Sequence, residues 1–118
     1  MQRTMLKSKI HRVKVTGACV DYEGSVTIDS KLLEASDILE YEQVHIYNVS
    51  NGERFATYVI EGEPNSGVIC LNGAAARKVS VNDLVIICSY VILDDAKCKN
   101  HKSKNVFVDL ENQIERIH

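Results

Sequence analysis

The chain has 118 residues, 45% apolar and 25% charged, with 14 basic against 16 acidic side chains, a net charge of -2 and one proline. That is the composition of a single globular domain able to bury about two-thirds of its unfolded surface. The dispersed basic residues lack the long-range attraction that phosphate-backbone binding requires, so nucleic acid is not an expected partner.

Five basic residues, Arg3, Lys7, Lys9, Arg12 and Lys14, interrupt the apolar positions at the start, and no export signal is expected there. Hydrophobic alternation and β-branched enrichment predict a first strand over Lys9 to Thr16 and a second over Ser25 to Ile28. A short helix follows, capped by Asp29 or Ser30 and carrying Leu32, Leu33 and Ala35 inward. Strands are predicted over Gln43 to Val49 and Arg54 to Glu61, joined at Asn51-Gly52 by a two-residue hairpin turn with positive φ at both central positions. Glu63 to Gly67 (EPNSG) reads as another turn, Gly67 to Leu71 as a strand, and Gly73 to Lys78 as a helix of a turn or two. The run Leu84 to Leu93 is about half the roughly 20 residues of a membrane-spanning helix, so it reads as a buried strand and no membrane is expected. A charged, mobile loop, one strand over Asn105 to Leu110 and a frayed end complete the chain. Many short strands with two short helices predict a small, mainly β barrel, because closure removes exposed sheet edges.

The cysteines, Cys19, Cys70, Cys88 and Cys98, form no C-x-x-C pair, which fits a reducing cytoplasm. Cys98 and His101 have the spacing of half a zinc site, but no second pair follows; a solvated loop is expected there, and no metal.

Four places carry side chains suited to chemistry. Alternation puts Lys9 and His11 on one face of the first strand together with Val13 and Val15, either as locally satisfied groups or as members of a site. Arg54, Ala56, Tyr58 and Ile60 share a face of a strand apolar on both sides; it should be central, and its arginine needs an anion, either a protein carboxylate or a ligand. Tyr22-Glu23-Gly24-Ser25 is either a tight turn or a place where the serine hydroxyl can reach an unshielded glycine carbonyl for an N-to-O acyl shift. Asn72 to Ala76 (NGAAA) either offers backbone amides to a small anion or is a capped turn with close packing.

Taken in order, KIHRVKVT (Lys9 to Thr16), YEGS (Tyr22 to Ser25), NGERFATY (Asn51 to Tyr58) and NGAAA resemble the pyruvoyl-dependent aspartate 1-decarboxylases from Met1 to about Leu93. The resemblance implies a double-psi β-barrel, a cytoplasmic homotetramer with active sites between subunits, and decarboxylation of L-aspartate to β-alanine for pantothenate. It also implies a proenzyme of residues 1–118 that cleaves itself into 1–24 and 25–118, with about 94–118 as a variable loop and tail. In that chemistry the Ser25 hydroxyl attacks the Gly24 carbonyl to give an ester. Elimination leaves dehydroalanine, and hydrolysis releases ammonia to leave a pyruvoyl group that takes the substrate amine as a Schiff base. Processing with an accessory maturation protein as partner and processing without one both fit the resemblance.

The roles implied are Tyr58 as proton donor, and Thr57 as substrate contact and polariser of the Gly24 carbonyl. Lys9 and Arg54 neutralise carboxylates, and Asn72, Gly73, Ala74 and Ala75 line the substrate site. His11 and Tyr22 shape the pocket without being catalytic, and Tyr47 stands where some relatives have tryptophan. Two other readings remain open at this stage: a non-enzymatic barrel that serves as a binding module, which would keep its chain intact, and a pyruvoyl decarboxylase of a different amino acid.

Overall fold

A computed structural model describes residues 1–118. Nine strands dominate: β1 (Gln2–Lys14), β2 (Gly17–Cys19), β3 (Ser25–Asp29), β4 (Gln43–Asn48), β5 (Arg54–Gly62), β6 (Ile69–Asn72), β7 (Leu84–Asp94), β8 (Lys104–Val108) and β9 (Ile114–Ile117). Helices α1 (Ser30–Ser36) and α2 (Asp95–Cys98) and a 3₁₀ helix (Gly73–Lys78) complete the fold. The strand order is β2-β6-β3-β5-β4-β7-β1-β8-β9. Because β1 and β2 are consecutive, with β1 on β7 and β2 on β6, the chain itself closes these strands into a small barrel. At the join, Thr16 donates its amide to the Ile69 carbonyl at 2.8 Å.

Inside the barrel, Ile10, Val13, Val15, Val26, Ile28, Val44, Ile46, Val59, Ile69, Leu71, Val85 and Ile87 have no exposed surface. Each is the inward member of an alternating pair, so the polar residues between them must face the outer wall. β5 lies between β3 and β4, the central position anticipated for it. Helix α1 begins where expected: Asp29 accepts the Lys31 amide at 2.8 Å, Leu32 and Leu33 are buried, and Ala35 packs against the core. The Asp29 carboxylate also accepts the amides of Asn65 and Gly67, so one buried side chain fixes both the helix start and the EPNSG turn.

Three local expectations are corrected. The first strand begins at Gln2 rather than Lys9, and a bulge at Arg12, with φ of 58°, shifts its phase. Val13 and Val15 therefore join Ile10 inside, whereas Lys9 and His11 belong to the outer wall. An inserted residue inverts the alternation beyond it, and residue types alone do not mark it.

The Asn51-Gly52 turn joins β4 to β5, but through the longer loop Val49 to Glu53, in which Gly52 alone has positive φ. The Asn51 side chain accepts the Glu53 amide at 2.9 Å and supplies the closure that a second left-handed residue would have given.

After Leu93 the chain folds back instead of leaving a solvated loop and a frayed end. Strand β8 runs parallel to β1, and β9, which the sequence pattern did not reveal, pairs with β8. Asn112, 1% exposed, bonds through its side chain to both backbone groups of Lys14 and to the Gly67 carbonyl. Cys98 is buried with its thiol toward the Asp94 carbonyl, and the His101 ring lies 2.6 Å from the Leu6 carbonyl. Backbone contacts of this kind are not visible in composition.

Candidate active site

Ser25 opens β3 on the outer wall, directly opposite Asn72 of β6. The Asn72 amide donates to Ser25 Oγ at 3.0 Å and to Thr27 Oγ1 at 3.2 Å. Asn72 precedes the 3₁₀ helix but makes no side-chain cap on it; its Oδ1, the atom that could cap, faces the Cys70 thiol instead. The hydroxyl of Ser25 in turn reaches the Glu23 carbonyl at 3.4 Å. Ser25 is 1% exposed, while Tyr22, Glu23 and Gly24 just before it are exposed.

Two further residues shape this corner. Gly73 has φ of +65°, and a Cβ there would stand 2.6 Å from Gly24 Cα and 2.7 Å from Gly24 N. The lack of a side chain is what lets the segment ahead of Ser25 lie against the NGAAA turn. Cys70, whose role the sequence motifs did not indicate, donates its thiol to Asn72 Oδ1 at 3.4 Å and so directs the amide nitrogen to Ser25. Burial, and secondarily nearby Cys19, push the Cys70 thiol pKa up, which preserves it as a donor. Only its hydrogen-bonding capacity could have marked it, and a cysteine beside apolar residues gives no such sign.

Parallel pairing of Val26 with Val59 brings the next positions back, Ser25 and Tyr58, side by side on the outer wall. Tyr58 is 38% exposed. Thr57 points the other way, next to the level of Gly24, and its hydroxyl has no partner in the chain. Ala74 is exposed and Ala75 packs against the core, leaving the backbone of the 3₁₀ helix beside Asn72.

The cationic residues lie apart from this group. Arg54, at the far end of β5, holds its guanidinium 4.0 Å from the centroid of the Tyr47 ring. The four ion pairs of the chain include neither Arg54 nor Lys9, so a protein carboxylate is not the arginine's partner. Lys9 pairs across β1 and β7 with Cys88, which pairs in turn with His45. Lys9 on β1 and Ser25 on β3 stand on strands that do not pair with each other. Neither Ser25 nor Tyr58 lines any of the five main cavities. His11 sits elsewhere, edge-on to Phe107 at 5.3 Å, with Nδ1 buried and unpartnered. Burial, then the charges of Lys9, Arg12 and Arg116, lower its pKa.

A small barrel with a serine held by an amide, and with a phenol on the adjoining strand, where an exposed segment enters the sheet is a scaffold for chemistry on its outer wall. Residues 1–115 match the profile of the family described as aspartate decarboxylase. Similar proteins named aspartate 1-decarboxylase include that of Syntrophus aciditrophicus, 66% identical over 114 residues, covering 97% of this chain and 98% of the relative. That of Methylobacillus flagellatus is 59% identical over 114 residues, covering 97% and 90%, and that of Thermoanaerobacter pseudethanolicus 57% over 113 residues, covering 96% and 97%. The chain belongs to the aspartate decarboxylase family. No helix is long and apolar enough to cross a membrane.

Proposed function

We propose that this chain is a self-processing proenzyme that converts L-aspartate to β-alanine and carbon dioxide, the β-alanine serving pantothenate synthesis. The observation that carries the proposal is the Ser25 hydroxyl, held by Asn72 at 3.0 Å beside a Gly24 around which an added Cβ would meet nothing within 4 Å. That setting suits attack by Ser25 Oγ on the Gly24 carbonyl carbon, with the Gly24–Ser25 C–N bond breaking to leave an ester. Thr57, level with Gly24 and with a free hydroxyl, is suited to polarise that carbonyl.

The pyruvoyl group that Ser25 would become supplies an electron-accepting ketone for the substrate amine. The other roles fall to side chains. Tyr58, beside Ser25, holds a proton for the carbon that loses carbon dioxide. Arg54 receives a carboxylate through its planar fork and Lys9 as a point charge. Asn72 and the backbone of Gly73, Ala74 and Ala75 orient the substrate.

Within one chain Lys9 on β1 and Ser25 on β3 stand on strands that do not pair, and neither Ser25 nor Tyr58 lines any of the five main cavities. Sites formed between subunits of a homotetramer, the wall of one chain facing that of another, would bring these groups together and enclose them. Incubation with L-aspartate should therefore yield equimolar β-alanine and carbon dioxide, with L-glutamate turned over far more slowly because its extra methylene misplaces the distal carboxylate. Absence of β-alanine from cleaved protein, or preference for glutamate, would contradict the assignment.

A further inference from the structure

The carboxylate-binding part of the wall contains a residue outside all four motifs. Tyr47 on β4 and Tyr90 on β7 share a hydrogen bond with their hydroxyl oxygens 2.6 Å apart. The Tyr90 ring stands edge-on to His45, with centroids 5.3 Å apart and planes at 90°, so it is braced from below. Tyr47 in turn carries the Arg54 guanidinium on its face at 4.0 Å.

Arg54 makes no ion pair and donates no side-chain hydrogen bond within the chain, leaving the ring of Tyr47 to hold it. An exposed arginine is rich in rotamers, and bidentate recognition of a carboxylate requires one of them. A tyrosine ring fixed at its backbone alone can still roll and swing; one also tied at its hydroxyl presents a defined face.

We propose that Tyr90 is a positioning residue for substrate recognition: its hydroxyl anchors the phenol of Tyr47, whose ring face holds Arg54 in the pose that receives a substrate carboxylate. The proposal rests on the reading that Arg54 binds that carboxylate. Burial, and then the bond to Tyr47, push the Tyr90 pKa well up, so the anchor remains a hydroxyl where an ordinary tyrosine would ionise. Tyr90 faces away from the barrel core and is 37% exposed, so removing one oxygen leaves the packing in place.

The test uses fully processed enzyme and two readouts: KM for L-aspartate, and the inhibition constant of succinate, which presents two carboxylates without an amine. Tyr90→Phe should raise both together by about 3- to 10-fold, the loss of one neutral hydrogen bond, and change kcat less than KM. Tyr47→Phe should have the same effect, and the double variant no more than either alone, because both substitutions delete the same bond. Arg54→Lys keeps the charge but loses the fork, and should raise both constants about tenfold or more. Unchanged constants in Tyr90→Phe, or additive effects of the two tyrosine substitutions, would overturn the relay while a defective Arg54→Lys keeps Arg54 in the site. Unchanged constants in Arg54→Lys would instead overturn the reading beneath it.

Discussion

Tyr58→Phe will leave the protein folded and the Gly24–Ser25 bond cleaved, but will lower β-alanine formation by about 10² to 10⁴, the usual contribution of a positioned acid. The substitution removes a hydroxyl and keeps the ring. Tyr58 is 38% exposed on the outer wall, away from the apolar interior, so little packing is at stake. In the proposed processing, cleavage depends on the Ser25 hydroxyl, its bond from Asn72 and the neighbourhood of Gly24, none of which involves the phenol. Turnover should involve it, because after carbon dioxide leaves, the carbon that carried it must take a proton, and Tyr58, on the strand adjoining Ser25, is the acid proposed for it. Single-turnover assays on the processed variant separate the two steps. Wild-type β-alanine production by fully cleaved Tyr58→Phe would show that another group supplies the proton.

Gly73→Ala is expected to have the opposite pattern, a folded barrel whose chain stays intact. The new Cβ would meet Gly24 Cα at 2.6 Å, Gly24 N at 2.7 Å and the Tyr22 carbonyl at 2.9 Å, all backbone atoms without a side chain's freedom to rotate away. Its φ of +65° adds roughly 1 to 2 kcal/mol for any residue with a Cβ. Tyr22, Glu23 and Gly24 are exposed, so the strain is relieved by displacing them outward while the interior keeps its packing. The Gly24 carbonyl then moves away from Ser25 Oγ. A displacement of about 1 Å at a reacting atom costs on the order of 10² in rate, and cleavage over hours should fall below detection. Thermal melting of the intact variant, read beside its mass, distinguishes a misplaced loop from an unfolded chain. Normal processing of Gly73→Ala would remove Gly73 from the account.

Much of this was legible in the sequence because local chemistry and tertiary structure agree. Asp29 at the head of an apolar helix, the alternation in β4 and β5, and the glycine after Asn72 all have local causes that the fold keeps. The failures have a common origin in long-range or one-residue events. The bulge at Arg12 reversed the faces of Val13 and Val15 relative to Lys9 and His11, and nothing in the residue types announced it. Strand β9 escaped notice because its pattern is short and all four residues are exposed; it is held by pairing with β8 rather than by burial. Within the site, the motifs singled out Ser25, Tyr58, Asn72 and Gly73, which the fold brings together. Cys70 and Tyr90 carry no motif: the Cys70 thiol reaches Asn72 along one face of β6, a contact that residue types do not announce, and Tyr90 meets Tyr47 only once β4 and β7 are in register.

The central claim is that Ser25 makes its own electrophile, and the mass of the intact protein tests it most directly. After prolonged warming, the wild-type chain should give two species, residues 1–24 and residues 25–118, the larger lighter by one ammonia than a fragment beginning with serine. Ser25→Ala, which removes the attacking oxygen, should remain a single chain of 118 residues under the same treatment. A wild-type chain that stays whole, a larger fragment with the full serine mass, or a Ser25→Ala protein that still divides after Gly24 would contradict the account.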